Sequence, residues 1–167
     1  STSGLMVIAL HIDAYRYLQK QFLRKTIDKT YIAILEKDIS GTFPTEGSIN
    51  LPLRVDLEDR PRQVVCYDYG RMALTEYKIL DIVDGKTIIR FHPVTGRTHQ
   101  LRVHAAHHLG LNAPIEGDDL YGTKKDRLYL HAETLIIRHP ATKELMTFHC
   151  EAPFHNELSF NNASEKI

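Results

Sequence analysis

Residues 87 to 110 constrain this chain more than any other stretch. Thr87-Ile88-Ile89-Arg90-Phe91 is apolar and β-branched, the composition of a strand. Pro93-Val94-Thr95-Gly96 turns the chain sharply at its end. A helical pattern then begins at Thr98 and runs to about Gly110, with Leu101, Ala105 and Leu109 spaced for a core face. Arg97 falls between turn and helix, where rigid neighbours on both sides can aim a side chain into a cleft. A helix N-terminus favours anions, and an arginine there strengthens the local positive field. The spacing therefore makes Arg97, His99 and Gln100 the first candidates for a functional site.

The rest of the chain reads as strands with few helices. Leu5 to Leu10 is a continuous apolar run, expected to be a central strand buried on both faces. Residues 12 to 25 carry helical spacing, with Ala14, Leu18 and Phe22 one turn apart and Asp13 as a cap. A second central strand is expected at Lys29 to Glu36, where both alternating faces are apolar. Residues 37 to 63 are broken by Gly41, Pro44, Gly47, Pro52 and Pro61, and read as a surface excursion with short strands near 47–53. Strands resume at Gln63 to Tyr69 and Ala73 to Val83. Asp84-Gly85 marks a hairpin joining Ala73–Val83 to Lys86–Phe91. A Gly-, Pro- and Asp-rich loop spans Leu111 to Lys125. Two more strands, about 128–138 and 144–150, flank a turn at His139-Pro140-Ala141-Thr142, and the polar tail after Phe154 is expected to fray. These elements predict an α+β fold: a mixed, mostly antiparallel β-sheet with flanking helices, in one partial domain over residues 1–167.

Composition excludes several classes. Lysine and arginine number 21, as do aspartate and glutamate, so bulk charge does not grip a polyanion. Local basic groups remain, notably Lys20, Arg24, Lys25 and Lys29 at the end of the first helix. No apolar run approaches the length that crosses a membrane, and no secretory leader is visible. Cys66 and Cys150 fit no metal spacing and read as free thiols in a reducing, cytoplasmic setting. His104 and His108 lie one turn apart and could share a metal, but no glutamate stands between them and no further ligand is evident. No metal or cofactor is expected. A serine hydrolase is disfavoured because the Gly-x-Ser-x-Gly elbow is missing, and no phosphate-cradling glycine motif is present.

Gly96-Arg97-Thr98-His99-Gln100-Leu101-Arg102-Val103-His104 resembles the signature of the RluA-type RNA pseudouridine synthases. Four further stretches resemble that family in order: Thr2-Ser3-Gly4-Leu5, Lys29-Thr30-Tyr31-Ile32-Ala33, Ile115 to Gly122, and Leu128-Tyr129-Leu130-His131-Ala132. The family's first signature is His-Arg-Leu-Asp-x-x-Thr-Ser-Gly. Thr2 is its threonine here, so its aspartate falls upstream of Ser1.

The resemblance implies isomerisation of uridine in RNA to pseudouridine, with rRNA expected ahead of tRNA as substrate. The base–sugar N-glycosidic bond breaks, the base turns, and it rejoins through carbon. Residue by residue, it implies that Arg97 pairs with the nucleophilic aspartate and that Tyr31 stacks on the target base. It implies that Leu130 lines the base pocket, with His99 and Gln100 shaping the site or meeting phosphate. An arginine beside a carboxylate keeps it ionised and fixes its orientation. The expectations that follow are that residues 1–167 alone are inactive and that Arg97 is solvent-exposed or paired with a substitute anion. Self-association through apolar surface at Met6 and Ile8 is also expected. The alternative is a module that binds RNA without catalysis.

Overall fold

The computed structural model describes residues 2–154, and the expected polar tail lies outside them. In chain order the elements are β1 (Ser3–Gly4), α1 (Ile12–Leu23), β2 (Asp28–Leu35), β3 (Glu46–Asn50), β4 (Leu53–Val55), β5 (Gln63–Val65), β6 (Leu74–Val83), β7 (Lys86–Pro93), α2 (Gln100–Ala106), β8 (Leu130–Arg138) and β9 (Leu145–His149). Seven strands form one sheet in the order β1-β8-β2-β7-β6-β3, with β9 also pairing β8, and β4 and β5 make a separate hairpin. The β1–β8 pair is parallel and the remaining pairs are antiparallel, so the sheet is mixed and the class is α+β as expected.

Local sequence accounts for the centre of this sheet. β2 lies between β8 and β7, as two apolar faces require. Its alternate residues divide between two cores: Ala33 and Leu35 join Phe91, Leu101 and Ala105, while Ile32 and Ile34 join Ile88, Ala152 and Phe154. That is the period-two geometry of a strand. Asp84 and Gly85 both take positive φ, 50° and 73°, the two-residue turn whose twist matches a hairpin.

Several elements differ from expectation for identifiable reasons. Leu5 to Leu10 is not a central strand. Pairing stops where Leu5 N–H donates to the Ala132 carbonyl (3.0 Å), because β9 takes that edge of β8 from Thr134 onward. The segment instead lays Leu5, Val7 and Ala9 against Leu18, Leu135 and Ile137. Met6 (81% exposed), Ile8 (71%) and Leu10 (83%) face outward.

α1 is capped at His11 and not at Asp13, which sits inside the first turn. Its buried residues are Leu18 and Gln21, while Phe22 is 44% exposed. Gln21 is drawn inward because its amide bonds both the carbonyl and the N–H of Arg138 (2.9 and 2.8 Å). α2 is shorter than the 98–109 pattern. His99 precedes it in the left-handed region, His107 leaves it with extended backbone, and Leu109 is 55% exposed. No helix among the described residues is long and apolar enough to cross a membrane.

Candidate active site

The turn after β7 is held from beneath by one side chain. Gln100, buried at the start of α2, accepts through Oε1 from the Arg97 N–H (3.0 Å) and the Thr95 hydroxyl (2.7 Å). Its Nε2 donates to the Leu74 carbonyl and to Thr75 Oγ1, both at 2.9 Å. Thr95 Oγ1 in turn accepts from Leu74 N–H (2.9 Å).

The network continues inward. Thr75 Oγ1 and His104 Nδ1 lie 2.9 Å apart, and His104 Nε2 lies 3.1 Å from the Leu51 carbonyl. A carbonyl can only accept, so Nε2 carries the proton and Nδ1 receives the Thr75 hydroxyl. Burial pushes the His104 pKa down, which keeps the ring neutral. Both ring nitrogens are engaged, and His108 stands exposed beyond the helix end, so the two histidines do not converge. No cluster of three or more His, Cys, Asp or Glu residues that could hold a metal occurs among the described residues.

Above this support lies an open cleft of about 510 Å³, lined by Tyr31, Arg97, His99, Gln100 and Leu130 together. The five residues singled out in the sequence come from β2, the β7–α2 turn, α2 and β8, and the fold gathers them. Arg97 is exposed; its Nε donates to the Met72 carbonyl (3.1 Å), and no carboxylate among the described residues pairs with it. Tyr31 is half-buried between Phe91 and Ala132 on the neighbouring strands. Burial raises its phenol pKa, so it is neutral at physiological pH. Leu130 is buried in the cleft wall. Gln100 presents little to the cleft, since its amide is already committed to the turn.

His99 is held by Tyr121, whose oxygen accepts from Gln63 N–H (2.7 Å). The same oxygen lies 2.9 Å from His99 Nδ1. Burial, helped by the nearby Arg102 charge, lowers the His99 pKa and favours the neutral ring.

The structure adds partners that the sequence did not pair. Arg102 grips Asp118 with two hydrogen bonds (2.8 and 2.6 Å) and reaches Asp119 (2.9 Å). Asp118 Oδ1 also accepts from Leu120 and Tyr121 N–H, both at 3.0 Å. Burial opposes charge on Asp118, but these bonds outweigh it and hold the carboxyl below its usual range. Lys29 and Thr2 line the cleft as well. Behind Thr2, Ser3 Oγ accepts from Arg127 (2.8 Å) and lies 2.9 Å from His131 Nδ1, whose other nitrogen meets the Cys150 carbonyl (3.0 Å). Gly4 has φ 98°, and a Cβ there would meet the Ala132 carbonyl oxygen at 2.3 Å. The Thr2-Ser3-Gly4 segment is therefore fixed in place beside the cleft. Its own motif was the available signal; the Arg102–Asp118 bond, linking residues 16 apart, left none.

The α+β sheet thus carries a cleft that brings Lys29, Tyr31, Arg97, His99 and Leu130 together, with Arg97 meeting no carboxylate among the described residues. Residues 1–107 match the family described as RNA pseudouridylate synthase, and the chain belongs to that family. It is 42% identical over 160 residues to the dual-specificity RNA pseudouridine synthase RluA of Haemophilus ducreyi, covering 92% of this chain and 71% of that one. The RluA of Escherichia coli K12 gives the same identity, with 92% and 70% covered. Among solved structures, human RNA Pseudouridylate Synthase Domain Containing 1 superposes with a TM-score of 0.78 at 28% identity, over 95% of this chain and 68% of that one. Human RNA Pseudouridylate Synthase Domain Containing 4 gives 0.73 at 26% identity, over 96% and 71%.

Proposed function

We propose that the cleft isomerises uridine in RNA to pseudouridine, with a nucleophilic aspartate supplied from the sequence upstream of Ser1. The observation that carries this reading is the convergence of Tyr31, Arg97, His99, Gln100 and Leu130 on one cleft beside Thr2. In the family signature Thr2 lies three positions after the aspartate, and Ser3 is clamped by Arg127 and His131. The exposed Arg97 guanidinium is then the partner that keeps the aspartate ionised and oriented.

The roles are those the family resemblance implies, and the shared lining of the cleft supports them. The target base leaves its stack and enters between Tyr31 and Leu130. A carboxylate adduct splits one hard step into easier ones. The bond from the base nitrogen to the sugar breaks, the base rotates in the cleft, and carbon–carbon bonding to the same sugar carbon closes the cycle as one ring proton is lost and a nitrogen regains one. The reaction is an isomerisation, so atoms balance without a co-reactant. His99 lines the cleft and can hydrogen-bond the base or a phosphate. Gln100 acts as a positioning residue, setting Arg97 through its backbone N–H.

Ribosomal RNA is the substrate we favour, in the cytoplasm, where Cys66 and Cys150 remain free thiols. The dual specificity carried in the relatives' names supports a second kind of RNA site. The test compares residues 1–167 with the same protein extended upstream through the aspartate, each purified free of host pseudouridine synthases and incubated with ribosomal RNA. Chromatographic separation of the digested nucleosides, or mass spectrometry after carbodiimide derivatisation, should find pseudouridine only with the longer protein. Product from residues 1–167 alone would overturn the placement of the nucleophile. RNA binding without product from the longer protein would favour the binding-module alternative.

A further inference from the structure

A second cleft, about 440 Å³, opens on the α1 side of Arg97. It shares Lys29, Pro93, Thr95, Gly96 and Arg97 with the candidate active site. The two clefts therefore adjoin at Lys29 and the β7–α2 turn; Lys29 Nζ lies 3.9 Å from the position a Cβ on Gly96 would take. The far wall is the end of α1, with Phe22, Leu23 and Lys25. Phe22 is 44% exposed and Leu23 75%, and Lys29 Nζ stands 5.4 Å from the Phe22 ring centroid.

The charge of this branch is one-sided. Its cations, Lys25, Lys29 and Arg97, pair with no carboxylate among the described residues. Asp28, next to Lys29 in the chain, and Glu76 lie 2.6 and 2.9 Å from the His92 ring nitrogens.

The backbone adds an independent observation. α1 ends in a Schellman motif: Thr26 N–H bonds the Gln21 carbonyl (3.0 Å) and Lys25 N–H bonds the Phe22 carbonyl (3.2 Å). Lys25 occupies the left-handed position of that motif, at φ 55°, where glycine is the cheaper residue. A lysine there costs stability and places a cation at the rim of the groove.

We propose that this branch is a subsite for the single-stranded RNA flanking the target uridine, with the neighbouring base against Phe22 and successive phosphates on Lys29 and Lys25. The inference rests on the RNA-modifying reading of the first cleft. An aromatic face beside a basic track is the usual construction of a sequence-tolerant single-strand site.

The experiment measures binding of fluorescent oligouridylates of three, six and nine nucleotides to the protein by anisotropy, across a salt series. Wild type should gain affinity with length. Phe22→Ala and Lys25→Gly should bind the trimer as wild type does, yet lose about fivefold or more on the longer probes. Lys25→Gly should also flatten the logarithmic salt slope by about 0.7, one phosphate contact. Thermal melting controls for folding: Lys25→Gly should melt at or above the wild-type temperature, because glycine suits the left-handed position. Variants that match wild type at every length would overturn the subsite while leaving the first cleft's role standing. Failure of wild type to bind any oligouridylate would instead remove the RNA reading on which it rests.

Discussion

The two sides of the cleft are built in opposite ways. On the β6–α2 side, Gln100, Thr75 and His104 are buried, and each polar group of the chain from Arg97 N–H to the Leu51 carbonyl has a partner. On the β2–α1 side, Lys25 is exposed, and neither it nor Lys29 meets an acid among the described residues. A fully satisfied buried network fixes geometry, and a half-satisfied one would be costly. Cations left unpaired at a rim contribute little to folding and remain available to an anion. On the proposed reading, the first side positions the chemistry and the second side is left free to meet RNA. Substitutions should therefore separate stability from activity according to side.

The largest effect is expected at the junction. In a longer protein that carries the proposed aspartate, Arg97→Ala should lower single-turnover pseudouridine formation by about 100-fold or more, the scale of losing orientation at a reacting group. Its urea-unfolding free energy should change by no more than about 0.5 kcal/mol, because the side chain is exposed. Arg97→Lys should rescue little, since an ammonium cannot reproduce the planar fork. A stability loss large enough to explain the rate would break the division between the sides.

The converse belongs to Gln100. Gln100→Leu leaves the Arg97 N–H, the Thr95 and Thr75 hydroxyls and the Leu74 carbonyl to find new partners. At about 1–3 kcal/mol for each buried group left unsatisfied, with some relaxation, a loss of about 2–4 kcal/mol in urea unfolding is expected. If Gln100→Leu folds as well as wild type and only loses activity, Gln100 touches substrate and is no mere support for the turn.

Much of this was legible in the sequence, and the failures share a cause. Asp84-Gly85 announced its hairpin because the required φ values restrict the residue types. The two apolar faces of β2 announced a central strand. All five candidate residues fell in motifs short enough to read, and the fold brought them together. Leu5 to Leu10 misled, because a continuous apolar run reads as a buried strand whether or not an edge is free to pair with it. β9, some 140 residues later, decides that. Phe22 misled for the same reason, since Gln21 is drawn inward by Arg138 on β8. Arg102 was visible, but its anchor Asp118 was not. Local chemistry fixed what each stretch could be, and distant partners decided what it became.

A smaller effect should appear in pH dependence. Burial lowers the pKa of folded His104, so the unfolded chain binds more protons below about pH 6.5. Its contribution is present above that value and is lost as pH falls toward the folded pKa. Folded His99 and His107 are lowered too and act in the same direction. His92 opposes them. Burial works against its charge, but Glu76 and Asp28 outweigh it and raise its pKa, so its contribution is present at low pH and lost as pH rises. Urea midpoints between pH 7.5 and 5.0 should fall on acidification, and His104→Asn should flatten the trend. An unchanged slope in that variant would mean that His104 is not the neutral centre of the rigid side.

The smallest effect concerns surface away from both sides. Met6, Ile8, Leu10 and Ile12 are exposed in one stretch, while Val7 and Ala9 pack on α1 and β8. An exposed apolar strip of this kind favours weak contact with a second copy of the chain. Sedimentation at rising concentration should show reversible self-association. Met6→Ser with Ile8→Ser should abolish it and leave the unfolding free energy within about 0.5 kcal/mol of wild type. Val7→Ser should do the reverse, lowering stability with little change in association, because its side chain faces the core. A clean monomer at high concentration would show that the strip is ordinary surface, and equal destabilisation by both substitutions would contradict the alternation that places Val7 inside and Ile8 outside.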